Sequence, residues 1–179
     1  MDPQSEGLFD FDSAKDDVNR RAIAIGFALI VFSGFVDWLE TEVTMSYNDG
    51  FDDYSNTVDA TLKGPMDDDT RDAYEHAGFL WFLGIFGLIT ILLRKSKLEE
   101  QIGDENYGNF FLILGILCLL LAYSVYSEIK DDVDDMDDLS FGDTDVDVSY
   151  KMGYYMALLG PLGVLYGGYN IYNDMKNGP

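Results

Sequence analysis

Four uncharged apolar stretches, each about as long as a membrane-spanning helix, constrain this chain more than any other feature. They cover residues 22–36, 77–93, 109–127 and 152–172. A helix needs ~20 residues to cross a hydrocarbon core of ~30 Å. Because a backbone in lipid must satisfy its own hydrogen bonds, such stretches form helices. We therefore predict an all-α transmembrane four-helix bundle with spans of about 22–39, 76–94, 109–128 and 151–172.

Basic residues flank these stretches mostly on one side, which predicts the orientation of the bundle. Seven of the 11 basic residues lie there: Lys15, Arg20, Arg21, Arg94, Lys95, Lys97 and Lys176. Cytoplasmic flanks of membrane helices are enriched in lysine and arginine. We therefore predict a multi-pass protein of the cell membrane with both termini in the cytoplasm. An acidic cytoplasmic segment, residues 1–21, precedes the membrane domain, residues 22–179, whose outer loops are 40–75 and 129–150.

Acidic residues dominate the polar part of the chain. There are 33 acidic and 11 basic residues, and 21 of the acids lie within residues 39–76 and 127–151. A net charge of −22 disfavours nucleic acid and anionic lipid headgroups as main partners. An aspartate-rich surface is typical of a halophilic archaeon, because 1 M salt shortens the Debye length to ~3 Å. Cys118 is the single cysteine, which excludes an intramolecular disulfide.

Alternating patterns in both outer loops predict strands. Apolar and polar residues alternate over residues 43–47 and 57–63, and residues 48–50 (Asn-Asp-Gly) are typical of a hairpin turn. Residues 144–148 alternate in the same way and have one acidic face. We predict a small extracellular β-sheet cap that both outer loops form together.

The third span keeps helical spacing well past its predicted end, at Ile129, Val133 and Met136, which predicts a long third helix. The whole layout resembles the claudin-like tetraspan families. These families share four spans, cytoplasmic termini, strands in a longer first outer loop, one strand in the second loop and a long third helix. Their Trp…Gly-Leu-Trp…Cys…Cys loop motif is missing here, since Trp38 is the only tryptophan of loop 1 and the loop has no cysteine. The resemblance implies architecture and no functional residue.

Glycines recur in the second and fourth spans, where helices in lipid need small residues to pack closely. The candidate packing residues are Gly84, Gly87, Gly160, Gly163 and Gly167. Gly163 and Gly167 form a GxxxG motif, which serves either packing within the bundle or contact between copies.

Two groups of polar residues are candidate ligand sites. An aspartate run holds Ca²⁺ or other cations weakly, or else forms a solvated acidic face: Asp131, Asp132, Asp134, Asp135, Asp137 and Asp138. Asp37, Glu75 and the single histidine, His76, fall at one depth near the outer interface. They predict either a metal or proton site or a capping role. Beyond such loosely bound cations, we predict no cofactor.

The motifs of common enzymes are missing from the sequence, which has no HExxH, GxSxG or phosphate-binding loop. Beyond Asp37, no charge falls within the spans away from their ends, which disfavours active transport. We predict a non-catalytic integral membrane protein that acts through its acidic extracellular face. It would be an accessory subunit or a cell-surface scaffold, in contact with lipid and with itself as a homo-oligomer or with a protein partner. The alternative is an oligomeric channel that concentrates and conducts cations.

Overall fold

The computed structural model describes residues 17–48, 53–93, 102, 104–138 and 143–177. These residues form, in chain order, the elements α1 (Val18–Ser33), β1 (Leu39–Asn48), β2 (Asp53–Leu62), α2 (Asp68–Ala73), α3 (Glu75–Leu92), α4 (Asp104–Asp138), β3 (Asp143–Tyr150) and α5 (Met152–Asn177). The described chain is therefore mostly helical with a small three-stranded sheet, which confirms the predicted combination of helices and strands.

Four of the helices pack around a common core. The helix α1 contacts α5 and α3, while α4 contacts α5 and α3, so the four helices enclose one interior. Apolar side chains from all four helices fill that interior. Among them are Phe27, Leu80, Phe111, Cys118 and Val164, each at most 1 % exposed. Burial of these side chains holds the helices together at close-packed density.

Glycines let α1 and α5 meet backbone to backbone. A Cβ atom at Gly160 would lie 2.6 Å from the carbonyl oxygen of Gly26, and one at Gly163 would lie 3.2 Å from that of Ala22. A Cβ atom at Gly167 would lie closer still to the carbonyl oxygen of Asn19. The GxxxG motif of α5 thus faces α1 of the same chain, where larger residues would separate the helices.

The other two predicted packing glycines lie between α3 and α1. Gly84 receives the side chain of Ile30, whose Cγ2 would be 2.6 Å from an added Cβ, and Gly87 receives the ring of Phe27. Both apolar side chains are fully buried. The two glycines therefore form hollows in α3 that hold two large side chains of α1.

The first helix is shorter than the predicted first span. It begins after Asp17, whose carboxylate accepts the backbone N–H groups of Asn19 and Arg20, and it ends at Ser33 rather than near residue 39. The chain then turns, and β1 begins at Leu39. The indole of Trp38 donates to the carbonyl of Ser33 over 2.7 Å, which satisfies one carbonyl at the helix end.

Among the described residues, two helices are long and apolar enough to cross a membrane, α3 over Glu75–Leu92 and α4 over Asn106–Asp132. By comparison, α1 has only 16 residues, and glycines and tyrosines dilute the aliphatic residues of α5. The helix α4 continues to Asp138, as its spacing predicted. Ile129 is buried there, whereas the side chains of Val133 and Met136 lie outside the described residues.

The sheet joins the segments that the sequence assigns to the two outer loops. Its strand order is β2-β1-β3, with both pairs antiparallel. Val43 of β1 lies between Val58 and Val146. In the predicted turn at residues 48–50, Asn48 is the last residue of β1. Residues 49 and 50 lie outside the described residues.

Candidate functional site at the sheet end of the bundle

Trp38 attaches the sheet to the helices. Its backbone N–H donates to the carbonyl of Leu62, and its carbonyl accepts the N–H of Lys151, each over 2.8 Å. Its side chain is 1 % exposed and lies against Gly153, where an added Cβ would be 2.6 Å from the indole Cδ1. One residue thus connects the ends of all three strands to α1 and α5.

One face of the sheet is apolar, and the bundle covers only its base. Leu39 lies in register with Leu62 and Tyr150, and it is 4 % exposed. Farther from the bundle on the same face, Val58 is 53 % and Met45 is 56 % exposed. The distal part of this face therefore presents apolar surface to its surroundings.

The opposite face of the sheet has a row of three carboxylates. Glu42 of β1 is the register partner of both Asp59 of β2 and Asp147 of β3. All three side chains are exposed. We name these three residues the carboxylate row. Because like charges directly opposite each other destabilise a sheet, the row has an energetic cost that dissolved cations or a basic partner would reduce.

The neighbouring carboxylate on the same face has a different environment. Glu40 lies opposite Thr61 and Ser149, and it forms an ion pair with Lys151. This ion pair is partly exposed, so its contribution to stability is small. Glu40 therefore adds less unbalanced negative charge to this face than the carboxylate row does.

Polar side chains connect α3 to the continued part of α4. His76 Nδ1 lies 2.6 Å from Glu128 Oε1 and 3.5 Å from Ser124 Oγ. One turn farther along, Tyr74 donates its hydroxyl hydrogen to Asp132 over 2.7 Å. Ser124, Glu128 and Asp132 are spaced four residues apart, so they form one stripe on α4 that faces the start of α3.

The surroundings of Tyr74 raise the pKa of its phenol. Partial burial of the phenol raises its pKa above the ordinary value, and the hydrogen bond to Asp132 together with the charges of Asp132 and Glu128 raises it further. The phenol therefore remains a hydrogen-bond donor to Asp132 well into the alkaline range.

The predicted group of Asp37, Glu75 and His76 is distributed over separate contacts. His76 pairs with Glu128, which the sequence analysis did not select. The backbone carbonyl of Asp37 accepts the N–H of Gly153, and Glu75 borders a groove beside Arg71. The signal for Glu128 was the four-residue spacing of Ser124, Glu128 and Asp132, which places them on one stripe of the continued α4 without specifying which helix that stripe faces.

The predicted aspartate run lies on the last two turns of α4. Asp131, Asp132 and Asp135 are exposed, and Asp132 accepts the hydrogen bond from Tyr74. The side chains of Asp134, Asp137 and Asp138 lie outside the described residues. Among the side chains that the structure describes, no three His, Cys, Asp or Glu residues come together in a way that could hold a metal ion.

Arg20 has a role at the opposite end of the bundle that the sequence analysis missed. Its side chain is 1 % exposed, and Nη2 donates to the carbonyls of Ile91 at 2.8 Å and Leu93 at 3.2 Å. Because the last carbonyls of a helix lack partners within the helix and attract positive charge, Arg20 caps α3. The signal was its spacing from Ile23 and Phe27, which places it on the buried side of α1.

Together, the fold and the site define a helical-bundle protein with an acidic, three-stranded sheet at one end. Neither the protein-family models nor the curated proteins gave a match to this chain.

Proposed function

We propose that this chain is a non-catalytic membrane protein with four spans, which binds a protein partner outside the cell through its acidic sheet. The carboxylate row is the observation that carries this proposal. Three opposing carboxylates destabilise an isolated sheet, so a surface of this kind favours a partner that neutralises it.

Two observations support placing all four helices in the membrane. The helices α3 and α4 are long and apolar enough to be membrane spans, and α1 and α5 pack against them. Large apolar side chains also point outward on every helix, as Phe32, Phe82, Leu120 and Leu159 show at 56–62 % exposure. Lipid is the surrounding that accepts such side chains on all sides of one bundle.

The distribution of basic residues supports the orientation. Lys176 and the exposed Arg21 lie at the end of the bundle away from the sheet. Arg94, Lys95 and Lys97 come soon after α3 in the sequence. Lysine and arginine favour the cytoplasmic side, so the sheet would lie outside. Arg20 carries less weight in this argument because it is buried against α3.

The alternative of cation conduction requires a path between copies of the chain. Apolar side chains, including Ile30, Phe111 and Cys118, occupy the centre of the described helices. A cation path through one copy would have to displace them. The scaffold or accessory role needs no such path, because it uses only the exposed surface of the sheet.

The membrane part of the proposal is tested by labelling single cysteines in a Cys118→Ala background. Ser55 is exposed on β2, and Asn177 is exposed at the end of α5. A membrane-impermeant maleimide should label Ser55→Cys on intact cells, and Asn177→Cys only after lysis. Both variants should stay in the membrane after alkaline carbonate extraction. Labelling of both on intact cells, or release by carbonate, would contradict the proposed topology.

The partner role is tested by photo-crosslinking from the sheet in the native membrane. A photoreactive residue at Thr57, which is exposed on the acidic face, should give discrete crosslinked bands. Neutralising the carboxylate row with Glu42→Gln, Asp59→Asn and Asp147→Asn should abolish those bands. The matched control neutralises three other exposed acids, Asp72, Asp131 and Asp135, and should retain them. Equal bands from both triple variants would count against a partner that recognises the row.

A further inference from the structure

A groove opens at the side of the bundle where α2 meets the first turns of α3. Its volume is ≈ 630 Å³, and its lining residues are Arg71, Glu75, Gly78, Phe79 and Phe82. The two phenylalanines are each 62 % exposed. The groove is therefore polar at the end near the sheet and apolar along α3.

Gly78 lets the stem of Arg71 lie close against α3 at one end of the groove. A Cβ atom at this position would lie 3.2 Å from Cγ of Arg71, so the alkyl part of the arginine crosses directly over the glycine. Phe82 follows Gly78 by four residues, which places the two on one side of α3. The arginine stem thus covers Gly78 at the polar end, and the apolar part of the groove is lined by the rings of Phe79 and Phe82.

Arg71 supplies positive charge at the polar end. Its Nη2 contacts Asp68, and its guanidinium is half exposed. A guanidinium has five N–H donors in a planar arrangement that matches phosphate oxygens, so Asp68 leaves donors for a second acceptor. Arg71 is also one of the few cations near the sheet, where acids greatly outnumber bases.

We propose that this groove binds one phospholipid of the leaflet at the sheet end, with its phosphate on Arg71 and an acyl chain along Phe79 and Phe82. The inference rests on the proposed membrane location of α3. The N–H donors of Arg71 that Asp68 leaves available select the phosphate end, although Glu75 lies on the same rim, and the exposed rings select the acyl end. The bound lipid would set the depth of α3 and brace α2 beneath the sheet.

The test is native mass spectrometry of the full chain in mild detergent. The protein is mixed with equal amounts of dioleoyl phosphatidylglycerol and of a phosphate-free galactosyl dioleoylglycerol that has the same chains. The wild type should retain one phospholipid in preference to the galactolipid. Arg71→Gln should reduce that preference about tenfold, as expected for the loss of a charge-assisted contact.

Two further variants separate the polar and apolar ends of the groove. Glu75→Gln removes a negative charge from the same rim, so phospholipid retention should stay equal or increase. Gly78→Leu displaces the Arg71 stem from α3 and narrows the groove, so it should reduce retention of both lipids, while unchanged circular dichroism shows that the helices persist.

Three outcomes overturn the inference: equal retention of both lipids by the wild type, an undiminished preference in Arg71→Gln, or displacement of the phospholipid by millimolar inorganic phosphate. The last outcome would identify a free-anion site. Failure here is distinguishable from failure of the membrane proposal. Carbonate extraction and quenching of Trp81 by brominated phosphatidylcholine report insertion of α3 whether or not the groove is occupied.

Discussion

Replacing Glu42 by glutamine should stabilise the sheet, although the substitution adds no contact. Glu42 lies directly opposite Asp59 and Asp147. Opposing Cβ atoms in antiparallel strands are ~5 Å apart, so the carboxylates are roughly 6 Å apart. Two unit charges at about 6 Å in water repel by about 0.7 kcal/mol. The two pairs that include Glu42 therefore contribute about 1.4 kcal/mol of repulsion before salt screens it.

Salt concentration sets how much of this repulsion remains. With a Debye length of ~30 Å at 0.01 M salt, about 1.1 kcal/mol survives, whereas ~3 Å at 1 M leaves about 0.2 kcal/mol. Opening of the sheet should therefore become about sixfold less frequent in Glu42→Gln at 0.01 M salt and almost unchanged at 1 M. The wild-type sheet should gain a similar amount of stability when salt is added.

Hydrogen–deuterium exchange of peptides from β1, followed by mass spectrometry in detergent at both salt concentrations, measures this opening. Glu40→Gln is the matched control, because Glu40 is on the same strand and face but forms an ion pair with Lys151. Loss of this ion pair should leave hydrogen exchange of β1 unchanged or make it faster by at most about fivefold. Faster exchange in Glu42→Gln, or slowing by the same factor at both salt concentrations, would refute the argument from opposing charges.

Three further predictions concern the helices and the contact between α3 and α4. Arg20→Met leaves the carbonyls at the end of α3 without their donor and should lower the free energy of chemical unfolding by about 3 kcal/mol. Arg21→Met is the control at an exposed position and should change that free energy by at most about 0.5 kcal/mol. Gly160→Ala forces a Cβ to within 2.6 Å of a carbonyl oxygen on α1 and should lower the free energy of unfolding by about 2 kcal/mol. Gly163→Ala is the control, because its Cβ would lie 3.2 Å from the nearest carbonyl oxygen, and it should cost clearly less. Equal costs would argue against the close approach of the two helices at Gly160. The raised pKa of Tyr74 means that the folded state holds the phenolic proton more tightly than the unfolded state. The resulting stability is complete below pH ~10 and is lost as pH rises further, so Tyr74→Phe should flatten the alkaline decline in melting temperature.

Local spacing predicted most of the secondary structure. The alternation over residues 43–47 and 144–148 placed two strands correctly, because a period of two is a property of neighbouring residues. The helical spacing at Ile129 likewise predicted that α4 continues. The end of α1 at Ser33 was not predictable in this way, because Trp38 ends the helix through contacts with β2 and α5.

The candidate sites were harder to predict because their partners are distant in the chain. His76 and Glu128 are 52 residues apart, and they meet only because α3 packs against α4. Arg20 and the end of α3 are separated by 71 residues at their closest hydrogen bond. The sequence placed His76 at the same depth in the membrane as Asp37. Depth alone could not identify the pairs, because it does not specify which helices are neighbours.

The amino-acid sequence by itself determined the apolar helices, the alternating strands and the concentration of aspartate near the sheet, since each depends on residues within one segment. Only the tertiary structure decided that Glu42 stands between Asp59 and Asp147, and that Arg71 crosses Gly78 above two exposed rings. The physical reason is that strand register and helix packing bring together residues from separate segments. A change of one residue in register would move Glu42 to the other face of the sheet.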